Sequence, residues 1–133
     1  MIVIPPSQQA GPGGKTGSQF TGEVFAYLTM ASTDRVTINT VDFTPCARTY
    51  WHSHEDGQIL IVLAGRGLIQ ADSGPLRVIR AGDTVWAPPG ERHWHGASPD
   101  SYVVHTAISL GATSWAEPVA DDQYNAPPTI GDT

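Results

Sequence analysis

The fold class predicted from this 133-residue chain is all-β, a sandwich or barrel. Three observations predict it. Turn signals built on Gly, Pro, Asp-Gly and Ser-Gly recur roughly every 8–12 residues. The segments between them are short, rich in β-branched and aromatic residues and often near-alternating. No segment carries a helical period. Residues 1–19 read as an arm: an apolar tetrad, Met1 to Ile4, that could pair as an edge strand, then a Pro/Gly/Ser/Gln stretch expected to be loop. Residues 20–115 read as the barrel. Within it, residues 36–43 (VTINTVDF) form a strand ended by Thr44-Pro45, and residues 49–54 form a second, ended by the Asp56-Gly57 turn. Residues 58–64 (QILIVLA) are a continuous apolar run that Gly65-Arg66-Gly67 is expected to stop. Residues 67–71, 76–80, 84–87, 93–97 and 101–110 complete the series, separated by Asp72 to Pro75, Ala81-Gly82-Asp83 and Pro88-Pro89-Gly90. Residues 116–133 read as a tail with room for one helical turn at Asp121 to Tyr124 and partial disorder beyond Asn125.

Composition narrows the function. A chain of this length can bury a core without staples, and the single cysteine, Cys46, excludes an intrachain disulfide and any multi-cysteine zinc cluster. Thirteen acids against seven bases give a net charge of −6, which repels phosphate backbones, so nucleic acid is not an expected partner. No apolar run reaches membrane-spanning length, and no basic segment precedes an apolar one in the manner of a signal peptide. The expectation is a cytoplasmic domain acting on a small molecule.

The five histidines all lie between positions 52 and 105. His52 and His54 are two apart on a strand, so both rings leave one face and their nitrogens can converge on one cation. Gln58 opens the next strand beside them. His93 and His95 form a second such pair after the Pro-Pro-Gly turn, and His105 sits on a third strand between Val103 and Ala107 on its own face. Singly, each would serve as a buried histidine with a hydrogen-bond partner. Together, from three strands, they point to a metal site.

Their spacing resembles that of the cupins. The first cupin motif runs Gly, five residues, HxH, three or four residues, an acid, six residues and Gly; here it runs Cys46, His52-Ser-His54, Gln58, Gly65. The second runs Gly, five residues, Pro-x-Gly, two residues, His, three residues and Asn; here it runs Gly82, Pro88-Pro-Gly90, His93, Ala97. The resemblance implies a jelly-roll type antiparallel β-barrel across residues 40–110. Three anchors depart from the pattern: Cys46 for Gly, Gln58 for the acid and Ala97 for Asn. Cys46 is expected to be a small buried thiol. Gln58 leaves the ion its full charge and makes it a stronger Lewis acid at some expense of affinity. Glu55, one residue from His54, should point to the opposite face.

The runs ARTYWHSHEDGQILIVLAGRG and AGDTVWAPPGERHWHGASP and the DDQY of the tail are similar to the small bacterial cupins with hydroxynitrile lyase activity. These are the manganese-dependent (R)-mandelonitrile lyase-like proteins, with relatives known as carboxymuconolactone decarboxylase-associated cupins. That resemblance implies His52, His54, Gln58 and His93 as metal ligands, His95 and His105 as acid–base groups and Thr49 as a polar neighbour. It implies one divalent transition metal per chain, manganese in that group. Imidazole also suits iron, zinc, nickel and copper, cobalt is a further option, and the carbonyl oxygen suits manganese, so ligand chemistry alone leaves the metal open. Asn39, Val41, Phe43, Leu60 and Trp94 are expected in the substrate pocket, Asn39 being polar where those lyases tend to be small and apolar. The implied reaction is reversible cleavage of a cyanohydrin to an aldehyde and cyanide. His95 or His105, at an ordinary imidazole pKa near 6.5, would take the hydroxyl proton. The same residues would also suit a metal-dependent dioxygenase, a cyclase or isomerase, or a non-catalytic metal or small-ligand module. Cupins usually bury their exposed edges in homodimers or higher assemblies, and the same is expected here.

Overall fold

The computed structural model describes residues 1–15 and 17–129, and the side chains of these except 11–15 and 17. Among the described residues twelve strands follow one another: β1 (Ala10–Lys15), β2 (Phe20–Thr21), β3 (Val24–Thr33), β4 (Val36–Phe43), β5 (Arg48–Thr49), β6 (His52–His54), β7 (Gln58–Ala71), β8 (Arg77–Arg80), β9 (Thr84–Ala87), β10 (His93–Ala97), β11 (Val103–Leu110) and β12 (Thr113–Trp115). One α-helix among the described residues, α1 (Asp121–Tyr124), forms at the turn expected for it. No helix among the described residues is long and apolar enough to cross a membrane.

The strands pair in the order β1-β3-β4-β11-β7-β10-β5-β2, all antiparallel, with β6 and β12 added beside β10 and with β8 and β9 on β7. The result is a nearly closed antiparallel barrel, and β7 is its spine. The first half of β7 pairs with β11 and β9, and the second half pairs with β10 and β8. Gly65-Arg66-Gly67 therefore does not stop the strand. It bends it, because Gly65 takes φ +77° and lets one strand leave the first sheet for the second. A Cβ on Gly65 would land on the Tyr102 carbonyl oxygen, whereas one on Gly82 (φ +95°) would meet nothing within 4 Å. Gly65→Ala is accordingly expected to cost about 3 kcal/mol or more, from backbone strain and a backbone collision together. Gly82→Ala should cost about 1 kcal/mol from strain alone. Thermal denaturation of the two variants side by side checks the difference.

Alternation along β7 explains its unbroken apolar run. Leu60 and Val62 are fully buried, while Ile61 and Leu63 face outward at 37% and 52% exposure. One core cluster gathers Val24, Val41, Phe43, Val62, Ile79 and Val103 inside the barrel. A second holds Trp51, Leu68, Leu76, Trp94, Val119 and Tyr124 between the second sheet and the tail. Arg48 pins that tail: its guanidinium lies 4.3 Å from the centre of the Tyr124 ring and bonds Asp121 at 2.8 Å and the Val119 carbonyl at 3.2 Å.

The ends of the chain depart from expectation. Met1 to Ile4 form no strand, and Met1, Ile2 and Val3 are exposed. The edge strand is instead Ala10–Lys15, drawn from the stretch expected to be loop. Pro5 and Pro6 lack the N–H groups a ladder needs, whereas residues 10–15 pair with β3 through irregular, bulged register. Pairing there is a backbone property that a Gly-rich stretch does not announce. At the other end Thr129 still bonds the Leu76 carbonyl at 2.7 Å. The disorder expected beyond Asn125 concerns partly residues 130–133, which lie outside the described residues.

Candidate metal centre

Five strands, β6, β7, β10, β11 and β12, bring the chemistry together. His52 stands opposite His93 across the β6–β10 ladder, Thr113 opposite His54 across β12–β6, and Ser109 opposite Gln58 across β11–β7. Alternation turns His52, His54, His93, His95 and His105 inward, and all five are buried. Ring nitrogens of His52, His93 and His95 lie within 4.8 Å of one another, a grouping able to hold a metal ion. The rings of His52 and His93 are 4.4 Å apart at their centres, those of His52 and His54 5.0 Å, and those of His95 and His105 4.8 Å.

The hydrogen bonds decide which nitrogen each ring presents. Nδ1 of His52 meets the Tyr50 carbonyl at 2.8 Å and Nδ1 of His93 the Glu91 carbonyl at 2.9 Å. A carbonyl only accepts, so both Nδ1 atoms carry the proton and both Nε2 atoms are bare lone pairs. His54 repeats the pattern, with Nδ1 held by the Thr113 hydroxyl at 3.0 Å and a buried Nε2 that makes no hydrogen bond. Gln58 donates its amide N–H to the Ser109 hydroxyl at 3.0 Å, which turns Oε1 toward His93 Nε2 at 3.1 Å. Two lone pairs then face each other with no proton between them, an arrangement that a cation resolves. The donors present therefore fit a divalent metal: three imidazoles anchored through Nδ1 and one amide oxygen, each anchored by a neighbour that fixes its orientation.

His95 and His105 form a separate pair, with His105 Nε2 3.0 Å from His95 Nδ1 and His105 Nδ1 buried without a partner. Both were expected to titrate near neutral pH; burial overrides that. Burial pushes His105 down to about 4, and burial followed by the nearby His105 holds His95 well below the ordinary imidazole value. His54 falls to about 4 through burial and then His93, with Gln58 opposing the drop. Burial, with His93 next, also lowers His52 far, and burial lowers His93. All five rings are neutral at pH 7, the state a metal ligand or a proton acceptor requires.

His52, His54, His95, His105 and Gln58 line a cavity of about 190 Å³, below the roughly 300–1,000 Å³ of pockets that take drug-sized ligands, and His93 stands behind its wall. Of the expected pocket residues, Asn39, Val41 and Phe43 line it, as does Thr49, whose hydroxyl accepts the His95 backbone N–H at 3.2 Å. Leu60 and Trp94 do not line it. Leu60 is wholly packed inside the barrel, and Trp94 is turned by strand alternation away from His93 and His95 into the second core, where its indole N–H bonds Gln70 at 3.0 Å. Glu55 points outward and pairs with Arg35. Cys46 is exposed, not buried; it takes φ +71°, the left-handed conformation that suits a glycine at that motif position. Among the lining residues not anticipated are Ser109, Thr113, Trp115 and Phe20. Ser109 and Thr113 orient Gln58 and His54, and Trp115 lies over the His52 ring at 4.6 Å between centres. Ser109 follows His105 and Ala107 on one strand face, so alternation could have found it.

Comparison with known proteins agrees with this geometry. The cupin domain family matches residues 39–108, just over half of the chain. A protein named (R)-mandelonitrile lyase from Granulicella tundricola is 49% identical over 88 residues, covering 63% of this chain and 67% of that one. The crystal structure of a cupin-like protein from Thermotoga maritima superposes with a TM-score of 0.80 at 37% identity, covering 87% of this chain and 91% of that one. The polyketide cyclase RemF from Streptomyces resistomycificus shares the fold, with a TM-score of 0.69 at 16% identity over 93% of this chain and 90% of its own. With its motif histidines buried together inside the matched barrel, the chain belongs to the cupin domain family.

Proposed function

We propose that this protein is a manganese-dependent lyase of the hydroxynitrile type, cleaving a small cyanohydrin reversibly to an aldehyde and cyanide. The observation that carries this reading is the division of labour among five buried imidazoles and one amide. His52, His54, His93 and Gln58 form a donor set, and beside them stands a buried imidazole pair that the donor set does not use. The relative named (R)-mandelonitrile lyase supports the choice of reaction.

A divalent metal held by the donor set supplies Lewis acidity that eases loss of the substrate's hydroxyl proton. The protein's own groups do the rest. With His95 Nδ1–H donating to His105 Nε2, His95 Nε2 is bare and accepts the hydroxyl proton. The C–CN bond then breaks, its electron pair leaving with cyanide while the hydroxyl oxygen becomes the aldehyde carbonyl. His95 Nε2 returns the proton to cyanide, releasing hydrogen cyanide and restoring the neutral ring. His105 holds His95 in the required tautomer and shares its charge while it is protonated. Phe43 and Val41 wall the cavity and exclude water from the transfer.

The test is aldehyde release from racemic mandelonitrile by manganese-loaded protein, in air and under argon. Release at equal rates in both, abolished by removing the metal, is expected. No release from protein shown to hold its metal overturns the lyase reading, and a rate that needs oxygen points to the dioxygenase chemistry the same ligands would suit.

A further inference from the structure

We propose that Asn39 is a substrate-binding residue, selecting substrates that carry a hydrogen-bonding substituent set apart from the reacting carbon. The inference rests on the reading of the histidine cavity as the substrate site and goes on to name its substrate class. Asn39 lies on β4, part-buried and lining the cavity. Its amide makes no hydrogen bond to any described residue, although each of its neighbours with a site role is anchored. Gln58, the other cavity amide, is anchored by the Ser109 hydroxyl. An amide offers two N–H donors and two acceptor lone pairs, and all four are unused at Asn39. In a partly enclosed space lined by Val41, Phe43 and Ala107, an occupant that displaces water from this amide must supply the missing partner.

The register says where that partner must sit. Thr37, Ser109 and Gln58 lie in one row across β4, β11 and β7, and Asn39 and Ala107 lie in the next inward-facing row. Two interstrand spacings and one two-residue step separate the Asn39 and Gln58 backbones, about 12 Å between Cα atoms. Both side chains reach inward and shorten that span to the length of one aromatic ring and its substituents. Ala107, the neighbour of Asn39 on β11, carries only a methyl group and leaves the path toward Gln58 open. A substrate whose reacting carbon sits against the histidines therefore places a ring hydroxyl, carbonyl or amide at Asn39. Sites built to pair a polar substituent reject its apolar analogue far more strongly than apolar pockets reject an added methyl group.

The experiment compares para- and meta-hydroxybenzaldehyde with the matched methylbenzaldehydes. Binding is read by calorimetry on the metal-loaded protein, and cleavage is read on the corresponding cyanohydrins. One hydroxyl isomer is expected to bind at least about tenfold tighter than its methyl counterpart. Asn39→Leu, which keeps the volume, should remove or invert that ratio while leaving metal content and melting temperature unchanged, and Asn39→Ala should remove it as well. A ratio within about twofold of unity in the wild type, a ratio that Asn39→Leu leaves intact, or binding of neither aldehyde overturns the proposal. If the binding preference holds but no cyanohydrin is cleaved, the lyase reading fails while the role of Asn39 stands. If cleavage occurs without preference, the role of Asn39 fails alone.

Discussion

Replacing His93 with alanine is expected to leave a folded protein that no longer retains manganese, with cyanohydrin cleavage reduced at least about a thousandfold. His93 is the keystone of the donor set. Its Nδ1 is fixed by the Glu91 carbonyl, its Nε2 faces Gln58 Oε1, and its ring stands 4.4 Å from His52 and 5.6 Å from His54. Changing a neighbour that merely orients a ligand costs about 10–100-fold in metal affinity, so losing the ligand itself should cost more. His95→Ala should behave differently: retained metal, and turnover down by about 10²–10⁴-fold, the usual contribution of a positioned base. The contrast matters because His95 also brings a nitrogen within 4.8 Å of His52 and His93. Metal analysis by mass spectrometry after gel filtration, run on His54→Ala, His93→Ala and His95→Ala, separates the two roles. If His95→Ala loses its metal and His54→Ala keeps it, the ligand set is His52, His93 and His95, and the proton acceptor must be sought elsewhere.

The barrel and the inward histidines were legible because they rest on period-two alternation and turn spacing, both local in sequence. The same rule, applied one residue further, places Trp94 on the opposite side of β10 from His93 and His95; the aromatic character of the HWH run drew it into the pocket, but strand geometry does not. Features that depend on a partner far along the chain were not legible. Gly65 reads as a turn by composition, and only its close approach to the Tyr102 carbonyl shows that it bends a continuous strand. The β3–β4 hairpin turns through Asp34 and Arg35, at φ +48° and +68°, with no glycine to mark it. Strand pairing at residues 10–15 rests on β3, not on its own side chains. Protonation was the least legible of all, since the same imidazole titrates near neutrality in water and near 4 at the buried His105.

That burial gives the metal-free protein a steep acid sensitivity. Every histidine of the site has its folded-state pKa lowered, with His54 and His105 at about 4. Unfolded, each would titrate near 6.5, so between about pH 6.5 and 4 the unfolded chain binds more protons than the folded one. Stability therefore rises with pH across this window: it is fully present above about 6.5 and is lost as pH falls toward 4. A histidine displaced across that whole window is linked to about 3 kcal/mol at 1.36 kcal/mol per pH unit, and mutual repulsion among the five neighbouring rings spreads their titration into steps that belong to the group. Melting temperature of the metal-free protein should fall by more than about 10 °C between pH 7 and pH 4.5, given a few degrees per kcal/mol for a domain of this size. Saturating manganese should lessen the fall near neutrality and leave the protein acid-labile below it, since protons and metal compete for the same Nε2 atoms. Differential scanning calorimetry across pH 4.5–7.5, with and without manganese, reads both effects. A metal-free melting temperature flat across that range would mean that the five rings are hydrated or already protonated in the folded state, and the buried neutral cluster on which both the donor set and the His95 base depend would be wrong.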